Sequence, residues 1–124
     1  RMLSEKDLWQ RIRRLLGQTV YTLDRRRPNR VARVTDEEIE IEGRVTKPTR
    51  GDVAEVYRQL WQKGEITGAE LLGEGSVLGN AFSNKVGRII LAVLAAAVPD
   101  EMEIVDRRGL HGLSGVKLKD LSTD

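Results

Sequence analysis

The chain has no cysteine and only five aromatic residues among its 124 residues. Without cysteine, disulfide bonds and thiolate zinc sites are excluded. A core with few aromatic residues must be built mainly of aliphatic side chains. The longest apolar run, residues 89–98, has 10 residues, which is too short for a bilayer span, and no signal peptide is visible at the N-terminus. We therefore expect a cytoplasmic protein without a membrane partner.

Charge is distributed unevenly along the chain. The net charge is +2, yet residues 1–50 carry 13 Lys and Arg against 8 Asp and Glu, whereas residues 51–124 carry 8 against 11. The basic excess is densest in LDRRRPNRVARV, residues 23–34, which contains Arg25, Arg26, Arg27, Arg30 and Arg33. Like charges this close repel one another unless something offsets them. Such asymmetry is typical of proteins with a nucleic-acid or acidic partner.

Residues 1–48 predict one helix followed by a three-stranded antiparallel meander. Ser4 fits a helix N-cap and Gly17 a helix end. The apolar side chains of this helix recur at helical spacing: Leu8, Trp9, Ile12, Leu15 and Leu16. The strands are predicted at residues 19–23, 30–35 and 38–42, with turns at Arg27-Pro28-Asn29 and Asp36-Glu37. Alternation in the third strand directs Ile39 and Ile41 to the core.

Residues 49–118 predict a helix, a short strand, a short helix, a longer helix and a two-stranded hairpin, in that order. The cap and stop residues are Thr49 or Asp52 and Gly64 for the first helix, Thr67 for the short helix, and Ser83 and Pro99 for the long one. The predicted buried face of the long helix consists of Val86, Ile89, Ile90, Val93, Leu94 and Ala97. We expect residues 1–48 and 49–124 to share one compact α+β domain.

The phrase KGEITGAELL, followed by an apolar helix, resembles the opening of winged helix-turn-helix domains. That resemblance implies a winged-helix-like unit with residues 83–98 as the recognition helix and residues 102–118 as the wing. More broadly, TVYTLDRRRPNRVARVTDEEIEIEG followed by a helix and GEITGAEL is similar to small accessory modules of restriction-modification proteins over residues 19–98. That resemblance implies a DNA-facing role and no activity. The chain departs from both patterns in its glycine-rich connection at residues 73–82, since a turn of three or four residues is usual, and it has no nuclease core.

These features predict a non-enzymatic module that binds double-stranded DNA. The arginines of residues 25–33 would contact phosphates, together with Arg11, Arg13 and Arg14. The base-edge candidates start the long helix, because such helices contact bases with their N-terminal residues: Asn84, Lys85 and Arg88. The alternative interpretation is a solvated hairpin in which Asp24 and the glutamates of residues 38–42 neutralise the arginines, with Arg30 and Arg33 facing Glu40 and Glu42.

Residues 89–98 leave a second functional hypothesis open. This apolar segment is either the buried centre of the domain or a protein-interaction surface, such as a homodimer contact through Ala92, Ala95 and Ala96. An enzyme is not expected, because His111 and nearby Ser114 lack a nucleophile elbow and an oxyanion hole. Magnesium chemistry is not expected either, since Glu38, Glu40 and Glu42 have the spacing of a solvated strand face. We predict no cofactor and no metal.

Overall fold

The computed structural model describes residues 1–23, 25–71, 84–107 and 114–119, and it shows an α+β fold. The described elements are α1 (Glu5–Arg13), β1 (Thr19–Tyr21), β2 (Pro28–Val34), β3 (Ile39–Ile41), α2 (Arg50–Lys63), β4 (Glu65–Thr67), a 3₁₀ helix (Gly68–Leu71), α3 (Asn84–Ala97), β5 (Met102–Val105) and β6 (Gly115–Leu118). The strands form two antiparallel three-stranded sheets, ordered β1-β2-β3 and β4-β6-β5.

Helix α1 begins as predicted but ends early. The Ser4 side chain accepts a hydrogen bond of 3.1 Å from the Asp7 backbone N–H, which is the expected N-cap. The helix ends at Arg13, and a turn leads on to Gly17 at φ 80°. Leu16 is therefore outside the helix and is 57% exposed, so its placement on the apolar face was wrong. Helical periodicity stops applying where the helix stops.

The meander confirms three antiparallel strands, with Thr19 opposite Arg30 and Val31 opposite Ile41. The predicted turn at residues 27–29 is wrong. Pro28 and Asn29 belong to β2, and the chain reverses earlier, over residues 22–27, so β1 ends at Tyr21. Proline is tolerated as the first residue of a strand. The predicted turn at residues 36–37 is confirmed, and Ile39 and Ile41 are buried.

Helix α2, which precedes the second sheet, begins and ends at the predicted residues. Thr49 caps α2 by accepting a hydrogen bond of 3.2 Å from the Asp52 N–H, and Gly64 ends the helix at φ 84°. After β4, the Glu70 carboxylate accepts a hydrogen bond of 3.1 Å from the Thr67 N–H. This contact joins β4 to the 3₁₀ helix, as the capping pattern predicted.

Helix α3 lies at the centre of the fold. It contacts α1, α2, the 3₁₀ helix and strands of both sheets, and every side chain of the predicted buried face is buried. Ala92 is also buried, at 3% exposure, so its assignment to an exposed alanine surface was wrong; only Ala95 and Ala96 of that surface remain accessible. The predicted loop at residues 73–82 and the Ser83 cap lie outside the described residues.

Gly115 permits the closest backbone approach in the second sheet, and its replacement gives a stability prediction. A Cβ at this position would lie 2.0 Å from the Ile66 carbonyl oxygen and 2.7 Å from the Thr67 Cα. Backbone atoms cannot yield as a flexible side chain does, so we expect Gly115→Ala to lower the free energy of unfolding by roughly 1–3 kcal/mol or more. Urea denaturation measures this. The control is Gly51→Ala in α2, where a Cβ meets nothing within 4 Å; equal losses in the two variants would contradict the prediction.

Glu70 gives a pH prediction. Burial raises the pKa of Glu70, but the Lys63 ammonium and the Thr67 hydrogen bonds outweigh it and hold the pKa below the usual 4.5. A carboxylate with a lowered pKa stabilises the fold above its unfolded pKa, and this contribution is lost as the pH falls through the folded pKa. We therefore expect the difference in unfolding free energy between wild type and Glu70→Gln to be constant above about pH 5 and to shrink below it. Urea titrations at several pH values test this, and a pH-independent difference would show it to be wrong.

Candidate nucleic-acid interface

The reversal between β1 and β2, which we call the arginine turn (residues 22–27), is held by its own backbone and by Thr22. The Thr22 N–H donates to the Arg27 carbonyl at 3.0 Å, and the Arg26 N–H donates to the Thr22 carbonyl at 3.0 Å. The Thr22 hydroxyl, which is buried, accepts from the Arg27 N–H at 2.9 Å. These bonds satisfy the N–H groups of Thr22, Arg26 and Arg27 within the turn, while the side chains of Arg25, Arg26 and Arg27 are exposed to solvent.

Arg26 adopts φ 51°, the left-handed region that non-glycine residues seldom occupy. Its guanidinium lies 3.6 Å from the Asp106 carboxylate at the end of β5. The ion pair brings the arginine turn beside the β5 end of the second sheet. Arg26 is thus engaged within the chain.

Two further arginines of the cluster are paired across the meander. The Arg30 guanidinium lies 2.9 Å from the Glu42 carboxylate, and that of Arg33 lies 3.6 Å from Glu40. Exposed pairs of this kind stabilise a fold by only about 0–1 kcal/mol each, but they neutralise the charge along β2. For these two residues the alternative interpretation, with glutamate partners on the neighbouring strand, is confirmed.

Arg25 and Arg27 differ from these three. Both are exposed, and neither forms an ion pair with any carboxylate in the part of the chain that the structure describes. Asp24, the other predicted neutraliser, lies outside the described residues. Among the described residues of the cluster, the arginines without a carboxylate partner are therefore Arg25 and Arg27 of the arginine turn.

Arg44 is a basic residue of this surface that the sequence interpretation missed. Its Nε donates to the Asn29 Oδ1 at 2.7 Å, and the Asn29 Nδ2 donates to the Arg27 carbonyl at 3.1 Å. Arg44 is half-buried and has no ion pair among the described residues. The register of the meander would have predicted this position. Because Val31 pairs with Ile41, the residues just after β3, which include Arg44, lie beside the start of β2.

Arg11, Arg13 and Arg14 lie elsewhere. The Arg11 guanidinium is 2.6 Å from Asp100, a contact that lowers the pKa of that carboxyl, and Arg14 lines the same groove of about 310 Å³. Arg13 pairs with Asp36. Asp100 precedes β5 by two residues and Asp106 follows it directly, so the four residues of the strand separate Arg11 from the arginine turn by on the order of 13 Å or more. The structure does not bring the two groups together.

The start of α3 lies toward the arginine turn. Because α3 and β5 are in contact and are joined by a short connection, the two elements run in opposite directions, and the first turn of α3 lies toward the β5 end that carries Asp106. Arg88 is half-buried there; the side chains of Asn84 and Lys85 lie outside the described residues. Residues 89–94 are all buried. Within the apolar segment 89–98, only Ala95 and Ala96 are accessible for contact with a partner protein.

The other candidates have structural roles or lie outside the described residues. Ser114 is buried, and its hydroxyl accepts a hydrogen bond of 2.8 Å from the Arg107 N–H; His111 is not described. Glu38 pairs with Lys47 at 3.4 Å, as its neighbours on the meander pair with arginines. Among the described residues, no three acidic or histidine side chains converge as a metal site requires.

Comparison with family models, curated proteins and solved structures gave no match. Within the described ranges, every helix is too short or too polar to cross a membrane. The geometry of the arginine turn and its surroundings is therefore the basis for assigning a function.

Thr22 provides a test of the turn's rigidity. In Thr22→Val the Arg27 N–H loses its buried acceptor, and we expect its amide hydrogen to exchange about tenfold faster, as the loss of one such bond implies. Thr22→Ser keeps the oxygen and should keep the protection. Hydrogen exchange followed by NMR measures both rates. Unchanged exchange at Arg27 in the valine variant would contradict the proposed role of Thr22.

Proposed function

We propose that this protein is a non-enzymatic DNA-binding module that contacts the phosphate backbone of double-stranded DNA with its arginine turn. The observation that supports this most directly is selective pairing. Arg26, Arg30 and Arg33 each have a carboxylate partner, whereas Arg25 and Arg27 are exposed without one in the described parts of the chain. Phosphate is the anion that guanidinium groups bind with two parallel hydrogen bonds.

The arrangement of the second sheet supports a winged-helix-like unit within this proposal. Strand β4 precedes α3, and the β5–β6 pair follows it, yet β4 pairs with β6 to complete the sheet. In this proposal the first two turns of α3, with Asn84, Lys85 and Arg88, supply contacts to base edges. The burial of residues 89–94 confines such contacts to this N-terminal part of the helix.

The test is fluorescence anisotropy with a labelled random-sequence DNA duplex at low salt. We expect the Arg25→Gln/Arg27→Gln variant to bind at least about tenfold more weakly than wild type, because two charge-assisted phosphate contacts are lost. Arg26 is left in place, since removing it would also break its contact with Asp106.

The matched control is Arg1→Gln/Lys6→Gln. Both residues are exposed and lie at the N-terminus or in α1, neither has an ion pair among the described residues, and the net charge falls by the same amount. We expect this variant to bind like wild type. Equal weakening of both variants would mean that only net charge matters, and the absence of duplex binding by wild type at low salt would refute the function.

A further inference from the structure

Asn29 connects the arginine turn to a third guanidinium. It is 2% exposed, and both ends of its carboxamide are used: Nδ2 donates to the Arg27 carbonyl at 3.1 Å and Oδ1 accepts from the Arg44 Nε at 2.7 Å. A buried amide bonded at both ends has one orientation. Asn29 therefore links the Arg44 side chain to the backbone carbonyl of Arg27.

Arg44 is left with its phosphate-binding atoms free of acidic partners. Its Nε is occupied by Asn29, but the two terminal Nη groups have no carboxylate partner among the described residues. These two groups form the planar fork that matches two phosphate oxygens. Since the side chain is already held in place, less conformational entropy is lost when the fork binds.

The charge of Arg44 has no anionic partner among the described residues. Arg44 is half-buried and is linked through Asn29 to the backbone of Arg27, and like charges gathered on one surface destabilise the folded state unless an anion offsets them. Elsewhere on the meander the chain supplies that anion itself, at Arg30, Arg33 and Lys47. At the turn, no described carboxylate contacts any of the three.

We propose that Arg25, Arg27 and Arg44 form one three-guanidinium phosphate clamp and that Asn29 is its positioning residue. This inference rests on the proposed DNA-binding function and adds to it the number of phosphates contacted and the identity of the third contact. The ligand is the phosphate backbone of duplex DNA.

The salt dependence of binding counts the contacts. Each neutralised phosphate adds about −0.9 to the slope of log affinity against log salt, so three contacts predict a slope of about −2.7. Between 50 and 200 mM salt the affinity of wild type should then fall about 40-fold. For Arg44→Gln two contacts remain, and we expect a fall of only about 12-fold. The measurement is anisotropy with a random-sequence duplex over this salt range.

Lys6→Gln is the matched control, since it removes the same charge from an exposed residue of α1 that has no ion pair among the described residues. Its salt slope should equal that of wild type. If Arg44→Gln keeps the wild-type slope while Arg25→Gln/Arg27→Gln reduces it, the clamp is wrong and the DNA-binding function stands. If wild type does not bind duplex at 50 mM salt, the function itself fails.

Arg44→Lys distinguishes the charge of Arg44 from its positioning by Asn29. It also tests the three-guanidinium clamp if Arg44→Gln does not fold. Lysine keeps the charge but has no Nε–H for Asn29 and no planar fork. We expect the wild-type slope with an affinity at least about fivefold lower, since one charge-assisted bond and its preorganisation are lost. Wild-type affinity in Arg44→Lys would overturn the positioning role of Asn29.

Discussion

The burial of helix α3 is the constraint on which the rest of the structure depends. Residues 89–94 are buried, and the helix contacts α1, α2 and strands of both sheets. Burying an aliphatic side chain contributes about 1.5–3 kcal/mol, so a helix with this many buried side chains determines where its neighbours lie. The connection from α3 into β5 then brings the end of β5 to the arginine turn, where Arg26 meets Asp106.

The pairing of charges on the meander follows from this packing and from strand register. Arg30 and Arg33 find glutamates because β3 lies directly beside β2. The arginine turn projects beyond the third strand, and no described glutamate of β3 reaches Arg25 or Arg27. Among the described residues, the cluster is thereby divided into arginines that have a carboxylate partner, Arg26, Arg30 and Arg33, and two that have none, Arg25 and Arg27.

The elements with strong local signals could be predicted from sequence. Ser4 and Thr49 cap helices, Gly64 ends α2, and the alternation of Ile39 and Ile41 gives β3 its buried face. The predictions were wrong where the local sequence was compatible with two structures. Pro28 is compatible with a turn and with the first position of a strand, and pairing with Tyr21 decided for the strand. Leu16 continued an apolar pattern past the end of its helix.

The sequence by itself determined the α+β class, the caps and the concentration of arginine in the first half, because these depend on local propensity and composition. Only the tertiary structure decided which arginines are neutralised, that Arg11 and Arg14 lie apart from the turn, and that Arg44 joins it through Asn29. Each of these depends on the distance between side chains far apart in the chain. That distance is set by strand register and by the packing around α3, neither of which is encoded in any short segment.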